Sequence, residues 1–153
     1  MMWTSDWEND SGEDGVDGGE PDGGIRVIYM NLGRSTDATH EFLERCARSH
    51  VVVALVGECW VEKKSVMGTQ SHPDYIRLDS VSGGGKVACH VWRDLVDFCM
   101  LVGCDNRFVC VEIGGVRIGC VYSKCGAWVH EMLYWLGRVQ ELIGNGRWIL
   151  IGD

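Results

Sequence analysis

Three apolar runs in this chain end on a side chain that can offer oxygen to a cation. "IRVIYMN" stops at Asn31, "VVVALVGE" at Glu58 and "RWILIGD" at Asp153. An amide oxygen and two carboxylates make a hard, oxygen-only set. Mg2+ takes such a set when it keeps water and substrate phosphate in its remaining positions. To act together the three must meet, and the carboxyl edge of a sheet with crossover connections is where ligands collect. The same residue types also start loops and cap turns for purely local reasons. Their position at the ends of strands therefore leaves both readings open.

Each of the three needs a strand beneath it, and the surrounding pattern supplies one. Residues 25–31 are a short β-rich run. Ser35, Thr36 and Asp37 are good helix N-caps, after which Phe42, Leu43, Cys46 and Ala47 recur at helical spacing towards Ser49 and His50. Residues 51–58 are continuously apolar, as in a strand covered on both faces, so the first part reads as a βαβ unit. In the middle, "YIRLDSV", "KVACHVWRD" and "LVDFCMLVG" read as β-runs. "SGGGK" (82–86) lacks the spacing of a phosphate loop and reads as a hairpin loop. "RFVCVEI" and "VRIGCVY" flank Gly114-Gly115, which can supply the positive φ angles of a two-residue hairpin. "WVHEMLYWLGRVQELIG" puts Trp128, Met132, Trp135, Leu136, Val139, Leu142 and Ile143 on one helical face, and Gly144-Asn145-Gly146 stops it. Arg147–Gly152 is then the closing strand. A parallel start, an antiparallel middle and two covering helices predict an α+β fold of sheets flanked by helices.

In this order, "IRVIYMNLGRS", "VVALVGECW", "RFVCVEIGGVRIGCVYS" and "GRWILIGD" resemble the first half of the endonuclease/exonuclease/phosphatase superfamily. They look most like the endonuclease domain of non-LTR (LINE-type) retrotransposons. The resemblance covers residues 25–153. It implies a layered α/β/β/α sandwich and cleavage of phosphodiester bonds with Mg2+, or Mn2+, as cofactor and DNA as partner. It also implies that Asn31 and Glu58 are metal-site residues, that Tyr122 contacts the scissile phosphate, and that Asp153 orients or activates the attacking water. Tyr29 stands where such domains often carry Gln, and "SKCG" after Tyr122 lacks their usual proline. The match stops inside the family's "GDFN" motif, before its later Ser-Asp-His segment and Asp-His pair. The expectation is the first half of a target-DNA-nicking enzyme, inactive by itself. A non-catalytic interaction module or remnant is the alternative, and a phosphatase of the same superfamily a third.

Composition bounds the remainder. Asp6, Glu8, Asp10, Glu13, Asp14, Asp17, Glu20 and Asp22 put eight of the 22 acids into residues 1–24, which hold no Lys or Arg, leaving 14 acids against 14 bases. Such a segment cannot offset its ordering entropy by burial, so residues 1–24 read as a disordered arm and 25–153 as the domain. The balanced domain carries no strong basic footprint for DNA. Cys46, Cys59, Cys89, Cys99, Cys104, Cys110, Cys120 and Cys125 form no CxxC pair and sit mostly in apolar runs, as free buried thiols do. The five histidines are scattered, which argues against zinc. With no signal-peptide pattern and no long apolar span, the expected place is intracellular, cytoplasm or nucleus, without a membrane partner.

Overall fold

β1 (Val27–Asn31) and β2 (Val53–Gly57) pair in parallel, with Val27 opposite Val53 and Asn31 opposite Gly57. These contacts belong to a computed structural model that describes residues 24–59, 72–78, 86–123 and 129–153. The crossover is α1 (Thr36–Arg48). Its N-cap is Ser35, whose hydroxyl accepts from the Ala38 amide at 3.2 Å. The helix closes with His50 in the left-handed region, φ 51°, its amide donating to Ala47 O. All five residues of β2 are buried, as the continuous apolar run requires. β2 pairs antiparallel with β4 (Val87–Trp92), and β4 with β3 (Tyr75–Arg77), giving the first sheet the order β1-β2-β4-β3.

After Trp92 the chain leaves this sheet. Residues 95–98, expected as the start of a β-run, instead belong to a 3-10 helix, Arg93–Phe98. This short helix joins β4 in the first sheet to β5 (Cys99–Cys104) in the second. The next strands are β6 (Phe108–Ile113) and β7 (Val116–Val121), joined by Gly114 and Gly115 at φ 58° and 74°. A right-twisted hairpin needs both angles positive, and glycine adopts them without steric cost. α2 (Val129–Ile143) follows, and Gly144, φ 64°, ends it by donating to Gln140 O. β8 (Arg147–Gly152) then pairs in parallel with β7, completing the order β5-β6-β7-β8.

Strand alternation sorts the side chains into layers. Val53, Leu55, Val87, Cys89 and Val91 of the first sheet pack between the sheets against Val109, Val111, Ile113, Ile118 and Cys120 of the second. On the first sheet's outer face, Phe42, Leu43 and Cys46 of α1 cover Ala54, Val56, Ala88 and Tyr75. On the second sheet's outer face, Val139 and Leu142 of α2 meet Phe108, Cys110, Val121 and Leu150. The result is the α/β/β/α sandwich that the resemblance implied. One residue of the expected α2 face is out of place, since Leu136 is 49% exposed. The acidic arm up to residue 23, the glycine loop at 82–85, Cys125, Trp128 and the side chains of Met132 and Ile143 lie outside the described residues. Seven cysteines are free thiols among the described residues.

His90 shows what this packing imposes. It shares β4's outward parity with Ala88, beneath α1, and its ring is 1% exposed. Neither ring nitrogen meets hydrogen-bond geometry, although the Ala54 backbone partly favours the charged form. Burial, reinforced by Arg77 and His72, holds the imidazole neutral down to about 3. The unfolded chain takes up this proton near 6.5. The native state is therefore favoured above that value and loses the advantage as pH falls towards 3. Between about pH 7 and about pH 5, wild type should lose about 2 kcal/mol more unfolding free energy than His90→Leu. Urea midpoints of the two proteins at both pH values measure this, and parallel losses would contradict it.

Candidate active site at the carboxyl edge of the sheets

Both parallel strand pairs, β1–β2 and β7–β8, run out at one edge of the sandwich, and the four candidate residues stand there. Asn31 and Glu58 come from the first sheet, Tyr122 and Asp153 from the second. Two hydrogen bonds cross between the layers. Asn31 Nδ2 donates to Asp153 Oδ2 at 2.7 Å, and the Tyr122 hydroxyl donates to Glu58 Oε1 at 2.9 Å. Residues 122 and 64 positions apart in sequence thus meet as two neighbouring pairs.

The local backbone aims each side chain. Asn31 Oδ1 accepts from the Gly33 amide at 3.0 Å, an Asx turn that fixes which end of the amide faces Asp153. The turn needs Gly33 and Arg34 in succession at φ 54° and 61°. The Arg34 amide then donates to Glu58 O at 2.7 Å, and the Leu32 amide to Gly57 O at 3.0 Å. Glu58 itself is held at φ 46°. For a residue other than glycine this is a strained conformation, kept only where the surroundings enforce it. Asp153 sits in a continuation of the β7–β8 ladder, its amide on Val121 O and its carbonyl receiving the Ser123 amide at 2.6 Å. The preceding residue is glycine of necessity, because a Cβ on Gly152 would overlap the Val121 carbonyl.

Tyr29 adds a fifth group that the candidate set missed. It shares β1's inward parity with Val27 and Asn31 and leans along the strand, and a Cβ on Gly57 would overlap its hydroxyl. Burial raises the Tyr29 pKa far above the ordinary phenol value, and Cys120, Asp153, Glu58 and Tyr122 add to the rise. Tyr122 is also pushed upward, chiefly because its hydroxyl donates to Glu58 and then by burial and the charges of Glu58 and Asp153, with Arg34 opposing. Both phenols therefore keep their protons. Period-two parity with Asn31 was the sequence signal that could have found Tyr29.

Among the described residues, the second oxygens of Glu58 and Asp153 and a lone pair on Asn31 Oδ1 take no further hydrogen bond. Among the described residues no three His, Cys, Asp or Glu cluster into a closed metal cage. Two carboxylates with an amide oxygen nonetheless suit Mg2+ or Mn2+, which retain waters. Beside the site a cleft of about 300 Å3 runs between the second sheet and α2, with Tyr122, Asp153, Arg107, Glu131 and Trp135 in its walls. Arg107 and Glu131 form an ion pair there. Gly57→Ala should cost about 1–3 kcal/mol by overpacking Tyr29, and Tyr29→Phe, which removes the overlapping oxygen, should recover part of that loss. A double-mutant cycle in urea measures the coupling, and strict additivity would disprove the contact.

No family model matches the sequence, and no curated protein matches it. Solved structures do. The endonuclease domain of TRAS1, a telomere-specific non-LTR retrotransposon, superposes with a TM-score of 0.67 at 23% identity, covering 85% of this chain and 58% of that one. Humanized D. rerio TDP2 carrying 14 mutations superposes with a TM-score of 0.53 at 12% identity, covering 84% and 61%. The chain thus spans less than two thirds of the length of either neighbour. Its two mixed sheets, flanked by helices, have the fold of the endonuclease/exonuclease/phosphatase type.

Proposed function

We propose that this chain forms part of a metal-dependent phosphodiesterase that nicks DNA, as the non-LTR retrotransposon resemblance implies. The observation that supports the reading is the pair of sheet-crossing hydrogen bonds, Asn31 to Asp153 and Tyr122 to Glu58. They gather oxygen acceptors and a protonated phenol at one edge. Asn31 and Glu58 would hold Mg2+ or Mn2+, which when bound supplies positive charge against the phosphate and its leaving oxygen. The Tyr122 hydroxyl, which donates to Glu58, would turn its hydrogen to a phosphate oxygen once the ion takes up Glu58. Asp153 would orient the attacking water and accept its proton. Attack at phosphorus forms one P–O bond and breaks the bond to O3′, which takes a proton and leaves as a 3′-hydroxyl suited to priming DNA synthesis. Arg34 lies near enough to influence Tyr122, a cation for the strand's phosphates. This chemistry implies an intracellular setting with access to DNA. Among the described residues no helix is long and apolar enough to cross a membrane.

A second reading is a non-catalytic binding module. Leu133, Tyr134 and Leu136 on α2 and Trp148 and Ile149 on β8 are exposed apolar residues, an unusual concentration for a free surface. Binding of Mn2+ separates the two, because the module reading requires none.

On the enzymatic reading the 153-residue chain should still nick supercoiled plasmid poorly or not at all. His72 is engaged with Glu44 of α1 and His90 is buried beneath that helix, so neither serves the edge as a proton carrier. Losing one general acid–base group costs a factor of about 10² to 10⁴. A longer chain that supplies a domain's second half should nick, and Glu58→Gln in it should abolish the activity. Cleavage of inositol phosphates in place of plasmid would assign a phosphatase. Robust nicking by the 153-residue chain, lost in Glu58→Gln, would show that a complete site already exists.

A further inference from the structure

β8 ends the second sheet, and its outer edge pairs with no strand among the described residues. Edge strands are normally blunted, because a free row of backbone groups invites another chain. β3 is only three residues long, and β5 is interrupted by a register shift between Leu101 and Gly103. β8 has neither protection, since its six residues keep one register along β7. Its centre, Trp148-Ile149-Leu150-Ile151, is apolar on both faces, the pattern of the wholly buried β2. Trp148 and Ile149 are nevertheless exposed, one on each face. On the outer face, a hollow of about 520 Å3 between α2 and β8 is lined by Leu136, Val139, Trp148 and Leu150.

The backbone shows which groups are free. The Asp153 amide donates to Val121 O and its carbonyl accepts from the Ser123 amide, so both point to β7. This orientation alternates along a strand, which turns the N–H and C=O of Trp148, Leu150 and Gly152 to the open side. In an antiparallel pair, such residues must stand opposite one another to exchange both bonds. Pairing β8 with itself about a two-fold axis at Leu150 does this: Leu150 faces Leu150, and Trp148 faces Gly152. The same register sets Ile149 opposite Ile151 and Arg147 opposite Asp153, on the face that looks between the sheets. Each pair is complementary. The indole lies across from the residue that has no side chain, as aromatic residues do opposite edge glycines, and opposite charges meet at both ends of the ladder. A slip of two residues either way parts Arg147 from Asp153 and shortens the ladder.

We propose that the free edge of β8 pairs antiparallel with β8 of a second copy of this chain, with Arg147 of each copy against Asp153 of the other. Two four-stranded sheets thereby become one of eight strands, and the apolar linings of both hollows are brought to the joint. The pairing is isologous and closes on itself, so it stops at two copies. Residues 25–153 carry 14 acids and 14 bases, so among the charges only the acidic residues 1–24 oppose the approach. The guanidinium takes the Asp153 oxygen that Asn31 leaves free. The interface does not depend on the metal-dependent reading, which gives that oxygen to a water in the single chain.

The test is sedimentation equilibrium of the 153-residue chain in about 0.15 M salt, which screens residues 1–24. The chain should form a dimer with a dissociation constant on the order of 10 μM, and no larger species. Arg147→Glu, which sets like charges opposite each other twice, should weaken the dimer about 10-fold or more. Ile149→Lys points a charge inward from the edge and should leave a monomer. Both side chains are exposed, so both variants should keep the wild-type fold. The register is read separately in Arg147→Lys, where a zero-length carbodiimide should join position 147 to Asp153 in the dimer. Within one copy these positions lie about 20 Å apart along the strand, so the link forms only between copies. A chain that stays monomeric well above that concentration would overturn the proposal. So would a dimer that persists undiminished in Arg147→Glu and Ile149→Lys, or one in which positions 147 and 153 do not cross-link, because its interface then lies elsewhere.

Discussion

Two parallel strand pairs terminating at the same edge are the constraint on which everything at that edge depends. Asn31 faces Gly57 in one pair, and Val121 faces Gly152 in the other. Side chains alternate along a strand, so a slip of one residue in either register would turn Asn31 or Asp153 to the opposite face. The βαβ crossovers through α1 and α2 guard against this, because each helix buries its apolar side on the outer face of its own sheet. Register, helix packing and the two sheet-crossing hydrogen bonds are one arrangement seen at three scales.

Departures from local preference cluster near that arrangement. Gly33 and Arg34, just after Asn31, and Glu58, next to the Gly57 that pairs with Asn31, take left-handed backbone angles. Gly57 and Gly152 are each compelled by a close approach, one to Tyr29 and the other to the Val121 carbonyl. Elsewhere a Ser N-cap on α1, a diglycine hairpin and a glycine stop after α2 follow ordinary rules, while His50 at the end of α1 is left-handed as well. Such angles in residues other than glycine persist only where the surrounding structure enforces them.

Much of the fold was legible because it rests on periodicities that side chains display openly. The apolar run that ends on Glu58 announced a strand buried on both faces, and Gly114-Gly115 announced a tight hairpin. The beginning of "LVDFCMLVG" misled, because apolar content does not distinguish a strand from the 3-10 turn that carries the chain between sheets. Leu136 misled in the same way, since helical periodicity cannot say how much of an apolar face its sheet will cover. Asn31, Glu58 and Asp153 were readable as ends of strands, and the resemblance added Tyr122. Which side chain bonds which, and the burial of the Tyr29 hydroxyl, depend on layers meeting in three dimensions and leave no trace in spacing.

The bond from Asn31 to Asp153 spans nearly the whole domain, and that has a kinetic consequence. Contacts between distant residues form late, because the loop between them must close before it is rewarded. β1, α1 and β2 can dock early from local contacts, whereas Asp153 arrives only when β8 has zipped onto β7. A chain paused with β8 undocked keeps much of its sandwich but offers no paired edge. The pairing at the edge is therefore complete only once β8 has docked on β7.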